Sequence, residues 1–476
     1  RYALFWIGLA LGLEPAMLRL LNPLTAVAER LTVVVGLGVF TFVPKYLRNP
    51  GKPIFFDELA HWSQSEQLYA HHNLFQTSGM VKVLKFYPGL ETFTVAVRQL
   101  TGLSTWHVAL LVIVLAHVLS LVAMYRIGSL LTSSERVASI VMVTFALNPG
   151  FLVFNSQYAY ETQALTLLLW AIVFVLEATR PRSDGSRARS LGFEFLAALT
   201  SAAVVVTHHL SGFLLFVMMA VFAATAAAHA ASPSRRTRER VARLATLVRL
   251  AVLTALMVVG WLFASTKGHP DAVLHYLTKL PLKGLGDVFH LHRSGSSRKL
   301  FHGSSLPPWM RVLGFAAPVL CVALAWKSWK SVRERAVHPL LLGFMVVAAG
   351  YVVVLPLVLT RNGSEAAHRL FPYAWVGVSV VLGVSLGALH RRAWLHSPKR
   401  GRRMQWLAVG VQGNAVGALH HDLALGRAVG HERRVEVPCA GQGAGRGHRG
   451  RDRRRRHDER PDLHQDRLAE LGRRGG

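Results

Sequence analysis

The chain has 476 residues, of which 52% are hydrophobic and 17% charged, with a mean hydropathy of +0.33. That is too apolar and too weakly charged for an ordinary soluble domain, and apolar runs of about 20 residues, enough to cross roughly 30 Å of hydrocarbon, recur along most of it. The formal net charge of +29 would point to nucleic acid in a soluble protein, but here it falls in short clusters between apolar runs, which excludes that partner and reports membrane topology.

The stretch 2–13 is shorter than a span and lacks the basic start and small-residue cleavage site of a signal peptide, so 1–30 reads as a truncated or re-entrant N-terminal helix. Ten spans are read at 31–47, 106–131, 137–154, 162–178, 191–207, 210–228, 247–264, 312–326, 340–359 and 373–389. Lipid offers the backbone no hydrogen-bond partner, so each span is expected to be helical. The expectation is an all-α polytopic membrane protein with about ten transmembrane helices, its membrane domain covering 31–403.

Basic clusters at Arg180/Arg182/Arg187/Arg189, Arg235/Arg236/Arg238/Arg240/Arg243, Lys327/Lys330/Arg333/Arg335 and Arg391/Arg392/Arg400/Arg402/Arg403 occupy alternate connections. By the positive-inside rule these face the cytoplasm, which turns 48–105, 155–161, 208–212, 265–311 and 360–372 outward. Beyond Gln405 the chain contains no Lys, Phe, Tyr, Ile, Ser or Thr. The segment 404–476 therefore reads either as a disordered basic tail, with Arg451 to Arg456 able to meet acidic lipid or nucleic acid, or as a frameshifted stretch. Cys321 and Cys439 cannot build a disulfide framework or a cysteine-rich metal site.

The long first outer loop, 48–105, carries its own structure. Residues 57–70 have helical spacing, with Leu59, Trp62 and Leu68 placed to lie in the membrane interface and with Asp57 and His61 one turn apart on one face. Tyr87-Pro88-Gly89-Leu90-Glu91 opens a second amphipathic helix through Leu100, with Pro88 suited to a first helical position. Asp57 and Glu58 form an adjacent carboxylate pair in a chain that has 25 acidic residues against 54 basic ones.

The segment Phe55-Phe56-Asp57-Glu58-Leu59-Ala60-His61-Trp62, followed about thirty residues later by Tyr87-Pro88-Gly89-Leu90-Glu91, resembles the first outer loop of the GT-C membrane glycosyltransferases. The likeness is closest to branches with an Asp-Glu pair there, the protein O-mannosyltransferases and the aminoarabinose transferases, and to many-span actinobacterial proteins. Where those families often carry His-Pro-Pro, this chain has Tyr87-Pro88-Gly89. The resemblance implies an inverting transfer of a sugar from a polyprenyl-phosphate-linked donor to a hydroxyl of a glycan, lipid or protein acceptor, on the extracytoplasmic face of the plasma membrane. In that scheme Asp57 is the general base, taking the proton of a weak nucleophile. Glu58 orients the acceptor or, with Asp57, holds a divalent cation, and His61 fixes a carboxylate. On the structural alternative Asp57 caps its helix and Glu58 complements the helix dipole.

Other polar groups fall on the same side, in loops assigned without reference to them. Gln157, Tyr160 and Glu161 precede the fourth span, where Glu161 is also a plausible first-turn acid. His208 and His209 sit in a tight turn, able to bind a metal or phosphate or simply to be solvated. A leaving lipid phosphate needs fixed positive charge. Arg361 and Arg369, flanking a short outward loop, are the first candidates and Lys85 the next, with interfacial snorkelling as the alternative. Asn362-Gly363-Ser364 matches a glycosylation acceptor. The loop 265–311, with His269, His275, His290, His292 and His302, reads as a lid; only Asp287 is near enough to suggest metal. No nucleotide-binding signature is present. The competing functions are a transporter or flippase of a lipid-linked sugar, for which His117 is the clearest mid-span titratable group and Asn148-Pro149-Gly150 and Pro356 the helix breakers, and a polysaccharide polymerase or scaffold.

Overall fold

A computed structural model describes residues 2–180, 187–231, 238–289, 323, 326 and 340–396. Its regular elements are all helical: α1 (Tyr2–Leu21), α2 (Val27–Arg48), α3 (Phe56–His71), α4 (Gly89–Thr101), α5 (Thr105–Thr132), α6 (Glu135–Ala146), α7 (Pro149–Val153), α8 (Tyr160–Ala178), α9 (Arg187–Thr207), α10 (His209–Ala230), α11 (Arg238–Ser265), α12 (Asp271–Phe289), α13 (Leu340–Val354) and α14 (Arg361–His396). Single 3₁₀ turns stand at Leu84–Phe86 and Leu355–Leu359. Eight helices among the described residues are long and apolar enough to cross a bilayer: α2, α5, α8, α9, α10, α11, α13 with its 3₁₀ extension, and α14. They coincide with eight of the ten spans read from sequence, and the chain is an all-α multi-pass membrane protein.

The span expected at 137–154 is broken. Pro149 has no amide hydrogen and disfavours helical backbone at the residue before it, so α6 stops at Ala146 and the Asn148 side chain accepts the Gly150 N–H at 2.9 Å to start α7. The 12 residues of α6 rise only about 18 Å, short of the hydrocarbon thickness. Of the span at 312–326, only Ala323 and Trp326 are described, both helical. At the start of the chain α1 runs on past Leu13 to Leu21, and Arg30, buried, donates to the Leu20, Asn22 and Thr25 carbonyls to tie α1 to α2.

In the two segments read as outward loops, 265–311 and 360–372, the described residues are largely helix. Thr360 alone is extended between the 3₁₀ turn and α14, and its hydroxyl accepts the Gly363 N–H at 3.0 Å, so Arg361 to Arg369 form the first turns of α14. In 265–311, α12 takes residues 271–289 and carries His275. His290, His292, His302, Cys321, Cys439 and the tail 404–476 lie outside the described residues.

Helix α8 is enclosed by neighbours: Ala164, Leu165, Leu168, Leu169, Ala171, Ile172, Val175 and Leu176 are at most 1% exposed. It packs on α5 and α9, while α14 packs along α6 and α13. With lipid as apolar as the helices, close packing rather than water exclusion holds these contacts. At Gly377 in α14 a Cβ would stand 2.6 Å from the Phe344 carbonyl of α13, so only glycine permits that approach.

Helix α3 inverts the amphipathic expectation. Glu58, His61, Ser65 and Leu68, spaced at three and four residues, are buried together with Gln64, whereas Phe56 and Leu59 are exposed and Trp62 is half-buried. Its polar stripe faces inward because the elements beneath it present Lys45, Asn49, Glu91 and Tyr158 as partners, leaving the apolar stripe for lipid.

Candidate active site

Glu58 is the structural hub of the first outer loop. It is fully buried, and its Oε1 pairs with Lys45 Nζ of α2 at 2.5 Å and accepts the Tyr158 backbone N–H at 3.3 Å. Its Oε2 accepts from Asn49 Nδ2 at 3.2 Å and from the Ile54 and Phe55 amides at 3.2 and 3.3 Å. The last of these lets the Glu58 side chain cap the start of its own helix, satisfying the amide of the N-cap residue Phe55. Lys45 is held in turn by Asn49 Oδ1 at 2.7 Å and lies over the Phe55 ring. Both oxygens of Glu58 therefore have protein partners, and through Lys45 and Asn49 the side chain ties α3 to α2 and the connection that follows it.

The carboxylate that His61 holds is that of Glu91. The His61 Nε2 accepts the Tyr160 backbone N–H at 3.3 Å, which places the ring hydrogen on Nδ1, donated to Glu91 Oε1 at 2.6 Å. This buried pair joins α3 to α4. Beside it the Tyr158 hydroxyl bonds Thr94 and Ser65, each at 2.8 Å. Burial raises the Tyr158 phenol above its ordinary range, so it remains a donor. Gln157 is buried in the same segment, and its carbonyl accepts the Thr162 hydroxyl at 2.9 Å to start α8.

Asp57, on the partly exposed side of the first turn of α3, makes no hydrogen bond or ion pair among the described residues and lies within electrostatic reach of Glu161. Glu161, in the first turn of α8, pairs with Arg369 Nη1, and Arg369 Nε also donates to Glu365 at 3.1 Å. Arg369 thus crosses from α14 to α8.

His208 and His209, expected at a solvated turn, are both buried. His208 is the N-cap of α10: its Nδ1 accepts the Ser211 N–H at 3.4 Å and meets Ser211 Oγ at 2.7 Å, and Ser211 Oγ meets the Tyr373 hydroxyl at 2.5 Å. Its Nε2 faces Glu161 at 3.7 Å. Burial, then the neighbouring His209, Arg369 and His61, push His208 well below its ordinary value, so the ring is neutral. The Tyr160 ring stands edge-on to His208 with centroids 4.2 Å apart and 4.5 Å from His61.

His209 packs on Tyr87, whose phenol burial also pushes upward. Tyr87-Pro88-Gly89 is the seam here: a Cβ at Gly89 would lie 2.8 Å from the Thr207 Cα, so glycine lets α4 seat directly against the turn that carries the two histidines. Helix α4 starts at Gly89, with Pro88 one residue earlier as its N-cap. Lys85, on the preceding 3₁₀ turn, has no ion pair among the described residues and stands over the Phe86 ring. Arg361 opens α14, two turns before Arg369.

The structure therefore brings together Asp57, Glu161, His208 and Arg369, with His61, Tyr160 and Glu91 behind them and His209 and Tyr87 alongside. All come from segments that the basic clusters assign to one side. Lys45, Tyr158, Ser211 and Tyr373 were not anticipated. A lysine one turn inside the end of a span, beside an acid pair, was the one available signal for Lys45. Among the described residues no three His, Cys, Asp or Glu side chains are grouped as metal ligands.

The chain is a bundle of spanning helices whose first long connection carries two short helices, and it shares this fold with solved membrane proteins. The chain is similar to ArnT from Cupriavidus metallidurans bound to undecaprenyl phosphate, at 15% identity and a TM-score of 0.50, over 84% of this chain and 78% of that one. It is also similar to the oligosaccharyltransferase of Archaeoglobus fulgidus in its apo form (13%, TM-score 0.53, 82% of this chain) and to AglB of the same organism in complex with an inhibitory peptide and a dolichol-phosphate (12%, TM-score 0.50). The chain spans 56% of the length of these archaeal proteins. No family model matches the chain, and no curated protein matches it.

Proposed function

We propose that the chain is a membrane glycosyltransferase that moves a sugar from a polyprenyl-phosphate-linked donor to an acceptor hydroxyl, with inversion, on the extracytoplasmic face of the plasma membrane. The observation that carries this is the placement of Asp57, which makes no hydrogen bond or ion pair among the described residues, within electrostatic reach of Glu161 and its counter-ion Arg369. Further support comes from the lipid phosphates named with ArnT and AglB, which are of the donor class proposed here.

Asp57 takes the acceptor proton as the acceptor oxygen bonds the anomeric carbon. The bond from that carbon to the donor phosphate breaks on the opposite face, its electron pair leaving with the phosphate. Arg369, with Arg361 and Lys85 as further cations, receives the charge that develops there. Glu58 acts only through position, by fixing the turn that bears Asp57. Glu161 and His208 set the state of Arg369. A divalent cation would require ligands beyond Glu58, both of whose oxygens are committed. The transporter alternative draws less support, because His117 is enclosed, stacked on Phe151 and bonded to Thr41 at 3.0 Å.

Membranes containing the chain are expected to transfer labelled sugar from polyprenyl-phosphate donors, and not from nucleotide sugars, into envelope acceptors. Vectorial movement of the intact lipid-linked sugar without transfer would replace this function with that of a flippase.

A further inference from the structure

Arg369 is engaged by two carboxylates at once, Glu161 through Nη1 and Glu365 through Nε at 3.1 Å. An anion that arrives at this guanidinium competes with both of them. Glu365 is 44% exposed and one turn away on the same helix, so it can turn to water. Glu161 is only 14% exposed and needs a protein donor to replace the arginine.

His208 offers that donor. It is fully buried, its Nε2 has no hydrogen-bond partner, and that nitrogen stands 3.7 Å from Glu161 Oε1. The Ser211 backbone N–H occupies the lone pair of Nδ1, and the Tyr373–Ser211–His208 hydroxyl chain ends on the same nitrogen. The hydrogen of the neutral ring therefore sits on Nε2. A buried donor without an acceptor is unfavourable, and a carboxylate shift of under about 1 Å would complete a normal bond here.

We infer that Glu161 is a displaceable counter-ion: it holds Arg369 in the empty site and passes to His208 Nε2 when a lipid phosphate takes the guanidinium. This presupposes that the bound anion is the carrier phosphate of the proposed function, and it adds a means of sorting donor from product. The sugar-linked donor is a phosphodiester with one negative charge. The spent carrier is a monoester that approaches two charges near neutral pH. Repulsion from Asp57, Glu161 and Glu365 rises with the second charge, so the site favours the donor and expels the product.

The test is binding of undecaprenyl phosphate to the purified, detergent-solubilised full chain, scored on variants that elute as the wild type does. Glu161→Gln removes the competing charge and is expected to tighten binding about tenfold, the factor that roughly 1.4 kcal/mol gives. His208→Asn keeps an N-cap side chain but removes the receiving N–H, and is expected to weaken binding severalfold. If His208→Asn fails to fold, Tyr373→Phe, which disrupts the chain that sets the ring hydrogen, is expected to act in the same direction. In Glu161→Gln/His208→Asn the effect of the histidine substitution is expected to vanish, because no carboxylate remains to be received. Equal or weaker binding by Glu161→Gln, or additive effects in the double variant, would overturn the counter-ion. Absence of binding by wild type and Glu161→Gln alike would overturn the phosphate site at Arg369, whereas absence of labelled-sugar transfer from polyprenyl-phosphate donors would overturn the glycosyltransferase function beneath it.

Discussion

Replacing Lys45 by Met would strip the positive charge that faces Glu58 at the start of α3. Lys45 and Glu58 are 7% and 1% exposed, with their charged atoms 2.5 Å apart. A solvent-exposed pair would contribute at most about 1 kcal/mol, whereas removing one partner of a buried pair typically costs about 3–5 kcal/mol because the other charge is stranded. Glu58 would keep its bonds from Asn49, Ile54, Phe55 and Tyr158, which places the loss near the lower end, about 3 kcal/mol. In Lys45→Met/Glu58→Gln no buried charge is left and a carbonyl acceptor survives, so roughly half the loss is expected to return. Thermal unfolding followed by size-exclusion chromatography in detergent, with protease cleavage within residues 49–55 as a local probe, reads both effects. A Lys45→Met protein as stable as wild type, or a double variant less stable than either single one, would refute the assignment of Glu58 as a charged hub.

Gly89→Ala puts a Cβ 2.8 Å from the Thr207 Cα; backbone cannot yield as a side-chain tip does, so a loss of about 1–3 kcal/mol is expected, together with weakened transfer as α4 moves off the His208 turn. An unchanged melting midpoint would contradict that close approach. Arg369→Gln is expected to lower transfer roughly 10²-fold and to weaken undecaprenyl phosphate binding, both measured on washed membranes; retained binding would move the phosphate site elsewhere. The depressed His208 also gives the stability a pH signature. The folded chain does not take up the proton that unfolded His208 binds below its ordinary 6.5, so this residue lowers stability as pH falls through that range, by up to about 1.4 kcal/mol per pH unit, and has no effect above it. Comparing melting midpoints from about pH 7.5 to 5.5, His208→Asn is expected to show the shallower decline; parallel declines would mean that His208 titrates normally.

The spanning helices were legible because twenty-residue apolar runs leave the backbone no alternative to helix, and alternate arginine clusters fixed which ends share a side. By that rule Glu161, His208, His209 and Arg369, about 200 residues apart at the extremes, are expected on one side. The break at Asn148-Pro149 was also written in the sequence, but hydropathy outweighed the missing amide of Pro149. The buried face of α3 was less accessible. Leu59 and Trp62 read as an apolar stripe for the membrane interface with the polar groups toward water, and only the presence of Lys45 and Glu91 beneath the helix turns Glu58 and His61 inward. Adjacent carboxylates point in different directions on a helix, so the Asp57-Glu58 pair could not reveal which member was structural; the hydrogen-bond inventory separates them. The partnership of His61 with Glu91, thirty residues on, likewise needs the α3–α4 packing that no local spacing encodes.

Asp57→Asn tests the central claim most directly. The substitution preserves size and the exposed first-turn position while removing the base, so incorporation of labelled sugar from polyprenyl-phosphate donors into envelope acceptors is expected to fall by about 10²–10⁴-fold. Membrane insertion, protein level and undecaprenyl phosphate binding are expected to remain close to wild type. Transfer by Asp57→Asn at the wild-type rate, at equal protein level, would remove Asp57 from the chemistry and contradict this account of the site.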